Sequence, residues 1–558
     1  MSEPKLLLKY SSDGAVYEES RSETAHYSTA LIYDDTGIKL TIIPKRSLSL
    51  ISVALIFDHK YGENEKFFVN GYQSWTTSGE MSSTDIYTAT LPLAGITKYT
   101  KDMAVTSGDY EFTRYDGRPG SFHSFTYTYF RRDDNFELFG SLSERNGYTI
   151  FYADMEKSFF SIEKDVEGLT ISEPYEAFDI VRYTGGYEEV FDSYFDAMNL
   201  PKKDLDHLSG YTSWYNYFQK IDEDIILRDL KGMRKGGKLV NIFQIDDGYE
   251  NYVGDWLDHN PKDFPNGMKV VADAIHREGY LAGIWLAPFN VQRKSRVYKE
   301  HPDWLIREPN GKPQLGCAAW GGAYTLDIYN PEVKEHLRHV FDVVLNEWGY
   351  DMVKLDFLYS QCRLPRNNKT RGTIMCEALD FLRECVGDKL FLGCGVPLGP
   401  SFGVVDACRI SCDVALKYND MLFDRLKITN EFPSAQFAIN NSLFRRHLNG
   451  RVFCNDPDVF FLRDNNLTFT WEQKLLLAKI NNLSGNVLFV SDNAGDYGEA
   501  QVDVLKKTLE KTDAKILDVR CVSGWNEGDF EVKYLENGEE KLLRFNLKTG
   551  NSNILELW

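Results

Sequence analysis

Through roughly the first 200 residues, apolar positions come in short runs, some alternating with polar residues and some continuous, each closed by Gly, Asp or Asn. Examples are KLTIIP (39–44), SLISVALIF (49–57), SFTYTYF (124–130), YTIFYAD (148–154) and KSFFSIE (157–163). A period of two bounded by turn residues predicts strands, and no long helical period develops before about residue 186. This pattern predicts a large antiparallel β-sandwich over residues 1–204.

After about Leu205 the pattern changes to strand and helix in alternation. Apolar strand candidates occupy 210–218, 239–249, 280–289, 350–359, 389–398, 406–414, 451–462 and 485–492. Helical periods lie between them at 222–235, 268–278, 331–348, 373–386, 434–448 and 471–483. Pro331 follows Asn330 at the start of the third of these, a sound N-terminal signal. Eight strands, each followed by a helix or a long loop, predict a central (β/α)8 TIM barrel over 205–513. From 514 to 558 the β pattern returns (ILDVRCVSGW, FEVKYLE, KLLRFNL), predicting a small C-terminal antiparallel β domain.

Carboxylates stand where several barrel strands should end: Asp246 and Asp247 (FQIDDGYE), Asp356 (VKLDFLY) and Asp413 (CRISCDV). A charge at the end of a buried strand is costly unless it has a task there, and a barrel brings its strand ends to one mouth. Two converging carboxylates are the minimum equipment for cutting a glycosidic bond. Strand alternation puts Lys354 and Asp356 on one face, and Arg409, Ser411 and Asp413 on another. Each candidate catalytic carboxylate thus has a cation on its own strand. Lys354 is expected to keep Asp356 ionised and nucleophilic. Asp413 must hold a proton against the pull of Arg409.

The bulk numbers narrow the partners. A formal charge of −20 argues against nucleic acid or an anionic membrane, which need clustered Lys and Arg. Neutral sugars suit an acidic chain with 14% aromatic residues. No stretch reaches the ~20 apolar residues of a membrane span. The three-leucine run near the N-terminus is too short for a signal-peptide core. Nine cysteines, the first at Cys317, fit free thiols and predict a cytoplasmic protein. Cys394, Cys408 and Cys412 have neither a CxxC pair nor an HExxH beside them, so no metal is expected.

Trp214, Trp256 and Trp285 lie near strand ends, and NGYQSW (70–75) is a turn-like aromatic segment with no strand role. Taken in order, GYTSWYNYF, FQIDDGYE with GDW, GIWLAPF, HPDWL, VKLDFLY, LGCGVPL, CRISCD and CNDPD resemble the compact bacterial α-galactosidases of glycoside hydrolase family 36. NGYQSW is similar to that family's N-terminal loop over the barrel mouth. The resemblance covers all three expected domains. It implies a retaining double displacement, with Asp356 as nucleophile and Asp413 as acid/base. It further implies that Asp246 and Asp247 hold the 4- and 6-hydroxyls and that Lys354 reaches the 3- and 4-hydroxyls. Arg409 and the Cys394 loop would take the 2-hydroxyl side, Trp285 and Trp214 the ring, and Trp75 would close the site. It implies no cofactor, and its substrates are melibiose- or raffinose-type oligosaccharides cut by a monomer or a homo-oligomer.

Two departures bear on substrate range: the short CGVPLGPSFG stretch after the fifth strand, and Lys417 where an aromatic is often found. The same residues also serve an α-N-acetylgalactosaminidase, if the loop around Val396 leaves room at the 2-position, or a raffinose-synthase-like transglycosylase. A catalytically dead sugar-binding protein is disfavoured because both carboxylates and both cations are present.

Overall fold

The computed structural model describes residues 2–87, 98–201, 205–418, 433–525 and 527–558. The expected boundary at 204 abuts residues 202–204, which lie outside the described residues. Before it stand two antiparallel sheets, each of seven strands among the described residues. Strand Gly37–Pro44 buries every second residue, as a strand with one covered face must. Leu40, Phe57, Phe130, Phe139 and Phe160 bring the two sheets into one core, the arrangement of a sandwich. Strand Thr149–Asp154 is buried at every position. Phe151 and Ala153 face that core, while Ile150 and Tyr152 belong to the larger core that includes the parallel sheet.

The parallel sheet runs, in chain order, through Leu208–Thr212, Ile242–Ile245, Leu281–Leu286, Met352–Leu355, Leu390–Gly393, Ala407–Arg409, Cys454–Asp456, Val459–Phe460 and Val487–Val490. Its spatial path begins at Cys454–Asp456 and ends at Val459–Phe460. These two segments are the halves of one strand broken at Pro457 and Asp458. One half pairs with the sixth strand and the other with the eighth, curling the sheet back on itself in a TIM-like manner. Its helices agree with the sequence pattern. Asn330, for example, caps Pro331–Asp342 by accepting from Glu332 N. After it, Lys515–Cys521, Asp529–Glu536 and Glu539–Asn546 form a three-stranded antiparallel sheet.

Three expectations need correction. A helix, Lys98–Ser107, interrupts the N-terminal region read as purely β. A three-stranded antiparallel insert (Asn290–Gln292, Leu315–Cys317, Ala323–Thr325) sits between the third and fourth parallel strands, inside what reads as one long connection. The sixth strand ends at Arg409, so Asp413 stands four residues beyond it on a loop rather than at its tip. Among the described residues no helix is long and apolar enough to cross a membrane, and all nine cysteines are free.

Candidate active site

Asp356 directly follows the fourth strand and is 7% exposed. Two donors fix its carboxylate: the Phe357 backbone N–H to Oδ1 at 2.7 Å and the Trp285 indole N–H to Oδ2 at 3.2 Å. Phe357 holds a φ of 55°, which is rare for a bulky residue and costs about 1–3 kcal/mol. That twist aims its N–H back at the carboxylate. The expected effect of Lys354 is reversed in net outcome. Burial, reinforced by the charge of Asp413, pushes Asp356 above the ordinary carboxylate range, and Lys354 only moderates the rise.

Lys354 pairs with the other carboxylate, Asp246, at 2.8 Å, with both side chains under 8% exposed. Burial works to neutralise this lysine, but Asp246 outweighs it and keeps the ammonium charged beyond its usual range. Asp246 also accepts from Gln244 Nε2 at 2.8 Å, and its Oδ1 takes the Asp247 N–H at 3.0 Å. Asp247 receives the Gln219 amide at 3.0–3.1 Å and the Trp320 indole at 2.8 Å. It is also hydrogen-bonded to Glu250. Burial and the adjacent Asp247 hold Glu250 far above the usual carboxylic range, so Glu250 is the protonated partner and donates to Asp247.

Across the mouth, Arg409 is 2% exposed at its side chain while Asp413 is 39% exposed. The guanidinium meets three carboxylates: Asp413 at 3.0 Å, Asp456 at 3.2 Å and Asp458 at 2.8 Å. Cys394 caps the fifth strand as a neutral thiol, its ionisation opposed first by burial and then by Asp356. Among the described residues no group of three or more His, Cys, Asp or Glu side chains is arranged to hold a metal ion.

The NGYQSW segment lies against the loop that follows the fifth strand. Ser74 N donates to Val396 O at 3.1 Å, and Val396 N returns a bond to Ser74 Oγ at 3.2 Å. Gln73 bridges Pro397. Trp75 packs edge-on against Phe357, ring centres 5.2 Å apart, and a Cβ added at Gly395 would lie 3.1 Å from both the Trp75 ring and Asp356 Oδ1. Only a glycine, at φ 52°, fits that gap. Trp320 sits 5.0 Å from Phe357 and 5.9 Å from Trp285, which in turn meets Trp256 at 5.7 Å. Trp285 thus stands beneath Asp356. Trp214 opens the short helix after the first strand, half-buried, with its ring against Phe218.

The pattern of the sequence overlooked five of these groups. Gln219, Trp320 and Glu250 serve Asp247, and of them only Glu250 had a signal, three residues along in the same motif. Asp456 and Asp458 belong to CNDPD, which had been noted only as a motif.

Near the strand ends of a curled parallel sheet, a buried, donor-fixed carboxylate and a solvent-facing one lie within electrostatic reach of each other, an arrangement suited to cutting a glycosidic bond. Residues 212–372 match the melibiase family model. An α-galactosidase, Mel36A of Lactobacillus acidophilus, is 29% identical over 261 residues, 43% of this chain and 34% of that protein. A Flavonifractor plautii protein named as an A type blood α-D-galactosamine galactosaminidase is 30% identical over 155 residues, 26% of this chain and 14% of its own length. The chain therefore spans about a third or less of these two relatives. An α-galactosidase of Thermus thermophilus, solved in complex with stachyose, superposes with a TM-score of 0.70 at 25% identity, covering 90% of this chain and 99% of that one.

Proposed function

We propose that this protein is a retaining exo-α-galactosidase that removes terminal α-linked galactose from small oligosaccharides of the melibiose and raffinose type. The observation that carries the reading is the contrast between its two carboxylates. Asp356 is buried and held by two donors as an oriented nucleophile, whereas Asp413 faces solvent, where a leaving group departs and water arrives. Asp356 attacks the anomeric carbon to give a β-galactosyl ester as Asp413 protonates the leaving oxygen. Asp413 then deprotonates the incoming water. Asp246 and Asp247, braced by Lys354, Gln219, Trp320 and Glu250, are placed to read the 4- and 6-hydroxyls, and Lys354 the 3- and 4-hydroxyls. Trp285 and Trp214 serve the ring, and Trp75 covers the site.

The 2-position distinguishes galactose from its N-acetylamino analogue. Val396 is fully buried and its backbone is bonded in both directions to Ser74. Cys394 and Gly395 lie against Asp356 and Trp75. A loop so tightly packed supports galactose, with Arg409 serving that side through the Asp413 it holds. The reading carries with it a three-domain chain (1–204, 205–513 and 514–558), needing no cofactor and acting on imported oligosaccharides in the cytoplasm, as a monomer or homo-oligomer. The test compares nitrophenyl α-galactoside with nitrophenyl α-N-acetylgalactosaminide and follows the first-formed sugar by NMR. Turnover of the galactoside with α-galactose appearing first is expected. Turnover of only the second substrate would overturn the specificity, and β-galactose as first product would overturn retention.

A further inference from the structure

The break in the seventh strand has a chemical counterpart. Asp458, at the break, has a φ of 77°, a left-handed backbone uncommon outside glycine. Its N–H donates to Asp456 Oδ1 at 2.9 Å, and Asn481 holds its carbonyl at 3.0 Å. The turn drives a fully buried carboxylate under the loop that carries Asp413. One oxygen accepts the Val414 N–H at 2.7 Å, immediately after Asp413, and also the Tyr215 hydroxyl. The other lies 2.8 Å from Arg409 Nη2, an ion pair out of line for a hydrogen bond.

We propose that Asp458 is a positioning residue for the acid/base, anchoring the backbone beside Asp413 and competing with it for Arg409. The inference rests on Asp413 being the acid/base. The charged and titratable groups that face Asp458 are Arg409, Cys412 and Asp413 from the sixth strand and its loop, Asp456 on its own strand, and Tyr215 from the helix after the first strand. Three carboxylates share one guanidinium, and two of them, Asp456 and Asp458, are fully buried. Burial first, then the charges of Asp413 and Asp456, push Asp458 up to about 7 against the pull of Arg409. Below neutrality Asp458 therefore keeps a proton and does not compete for Arg409. As pH rises it ionises and sets a negative charge beside the group proposed as the acid. Acid catalysis is thus prolonged on the alkaline side.

The test is Asp458→Asn, whose amide oxygen can still accept from Val414 and Tyr215 but carries no charge. The measurement is kcat/KM against pH for two substrates. Melibiose expels a sugar alkoxide and requires the proton, whereas nitrophenyl α-galactoside expels a stable phenolate and does not. For melibiose the alkaline limb is expected to move down by about one pH unit, a ~10-fold loss well above the limb, with little change for the nitrophenyl substrate. An unmoved limb with melibiose, or equal shifts for both substrates, would refute the proposal. Should the variant fail to fold, Tyr215→Phe removes a donor that favours the Asp458 anion, and a smaller downward shift confined to melibiose is expected; no such shift refutes it. Asp413→Asn separates the two readings. If it impairs both substrates equally, the acid/base assignment itself fails.

Discussion

Replacing Lys354 with Met separates the two carboxylates that this lysine serves. Its ammonium bonds directly to Asp246 at 2.8 Å and acts on Asp356 through space, opposing the upward push of burial. Two residues along a strand span about 6.6 Å. A unit charge at about 7 Å and an effective dielectric of about 20 contributes about 2.4 kcal/mol, or ~1.7 pH units. Removing it should raise the Asp356 ionisation by up to that amount. Because the nucleophile must be ionised, activity is lost as pH falls through its ionisation. The acidic limb of kcat/KM should accordingly move to higher pH, by about 0.5–1.5 units. Nitrophenyl α-galactoside is the substrate of choice, since its leaving group needs no proton and only the nucleophile's limb appears. The position of the limb is independent of activity lost because Lys354 also binds sugar. A limb that stays in place, or moves to lower pH, would refute the electrostatic link between Lys354 and Asp356. The same variant leaves Asp246 charged and unpaired in a buried site, a loss of about 3–5 kcal/mol that thermal melting will register.

Asp356→Gly supplied with azide should release β-galactosyl azide and Asp413→Gly the α-azide; an exchange of the two products in NMR spectra would reverse their roles. Glu250→Gln should keep a donor for Asp247 and leave KM for the galactoside within about twofold. Glu250→Leu removes a hydrogen bond to a charged group, worth about 1.5–3 kcal/mol, and should raise KM at least ~10-fold. A leucine variant with unchanged KM would remove Glu250 from the site. Arg445→Met should strip two buried carbonyls, Ser74 O and Ile410 O, of their guanidinium donor and cost about 2–6 kcal/mol. The expected readouts are a lower melting temperature and a raised KM for the galactoside, and no change in either would refute a role for Arg445 in holding the Trp75 loop.

The strands of the parallel sheet were legible because a buried strand must be apolar on both faces, and LVNIFQI or DMVKL can satisfy that only in such a place. The carboxylates were legible for the opposite reason, as charges where apolar residues should continue. Asp413 was misplaced by four residues because CRISCDV alternates as a strand would, yet only Ala407–Arg409 finds neighbours to pair with. The helix Lys98–Ser107 was missed because its residues lack an apolar face, and its stability comes from what it rests on: Thr106 Oγ1 and Ser107 Oγ turn back on its own carbonyls, and Ser107 O accepts from Gln73. The balance of forces on Asp356 was out of reach for a different reason. Lys354 is visible two residues away, but the burial that outweighs it depends on Trp285 and Trp75 arriving from distant parts of the chain.

That convergence ties the N-terminal sheets to the candidate site. Arg445 is fully buried with no carboxylate partner among the described residues, and burial brings its ionisation down to about 10. Its guanidinium instead donates to the carbonyls of Gln73, Ser74 and Thr76 and the hydroxyl of Ser78 on one side, and to the carbonyl of Ile410 on the other. Asn441 adds bonds to Thr76 O and Ser78 N. A desolvated charge bonded only to neutral acceptors is tolerable when those acceptors are held in place, and the two sides here are the Trp75 loop and the residue next to Arg409. Displacement of the loop would leave the guanidinium buried with most of its donors unpaired, so the loop and the sixth strand form as one unit. The cover over Asp356 and the cation beside Asp413 are therefore set by the same side chain. A barrel freed of residues 1–204 would keep both carboxylates but lose the geometry between them.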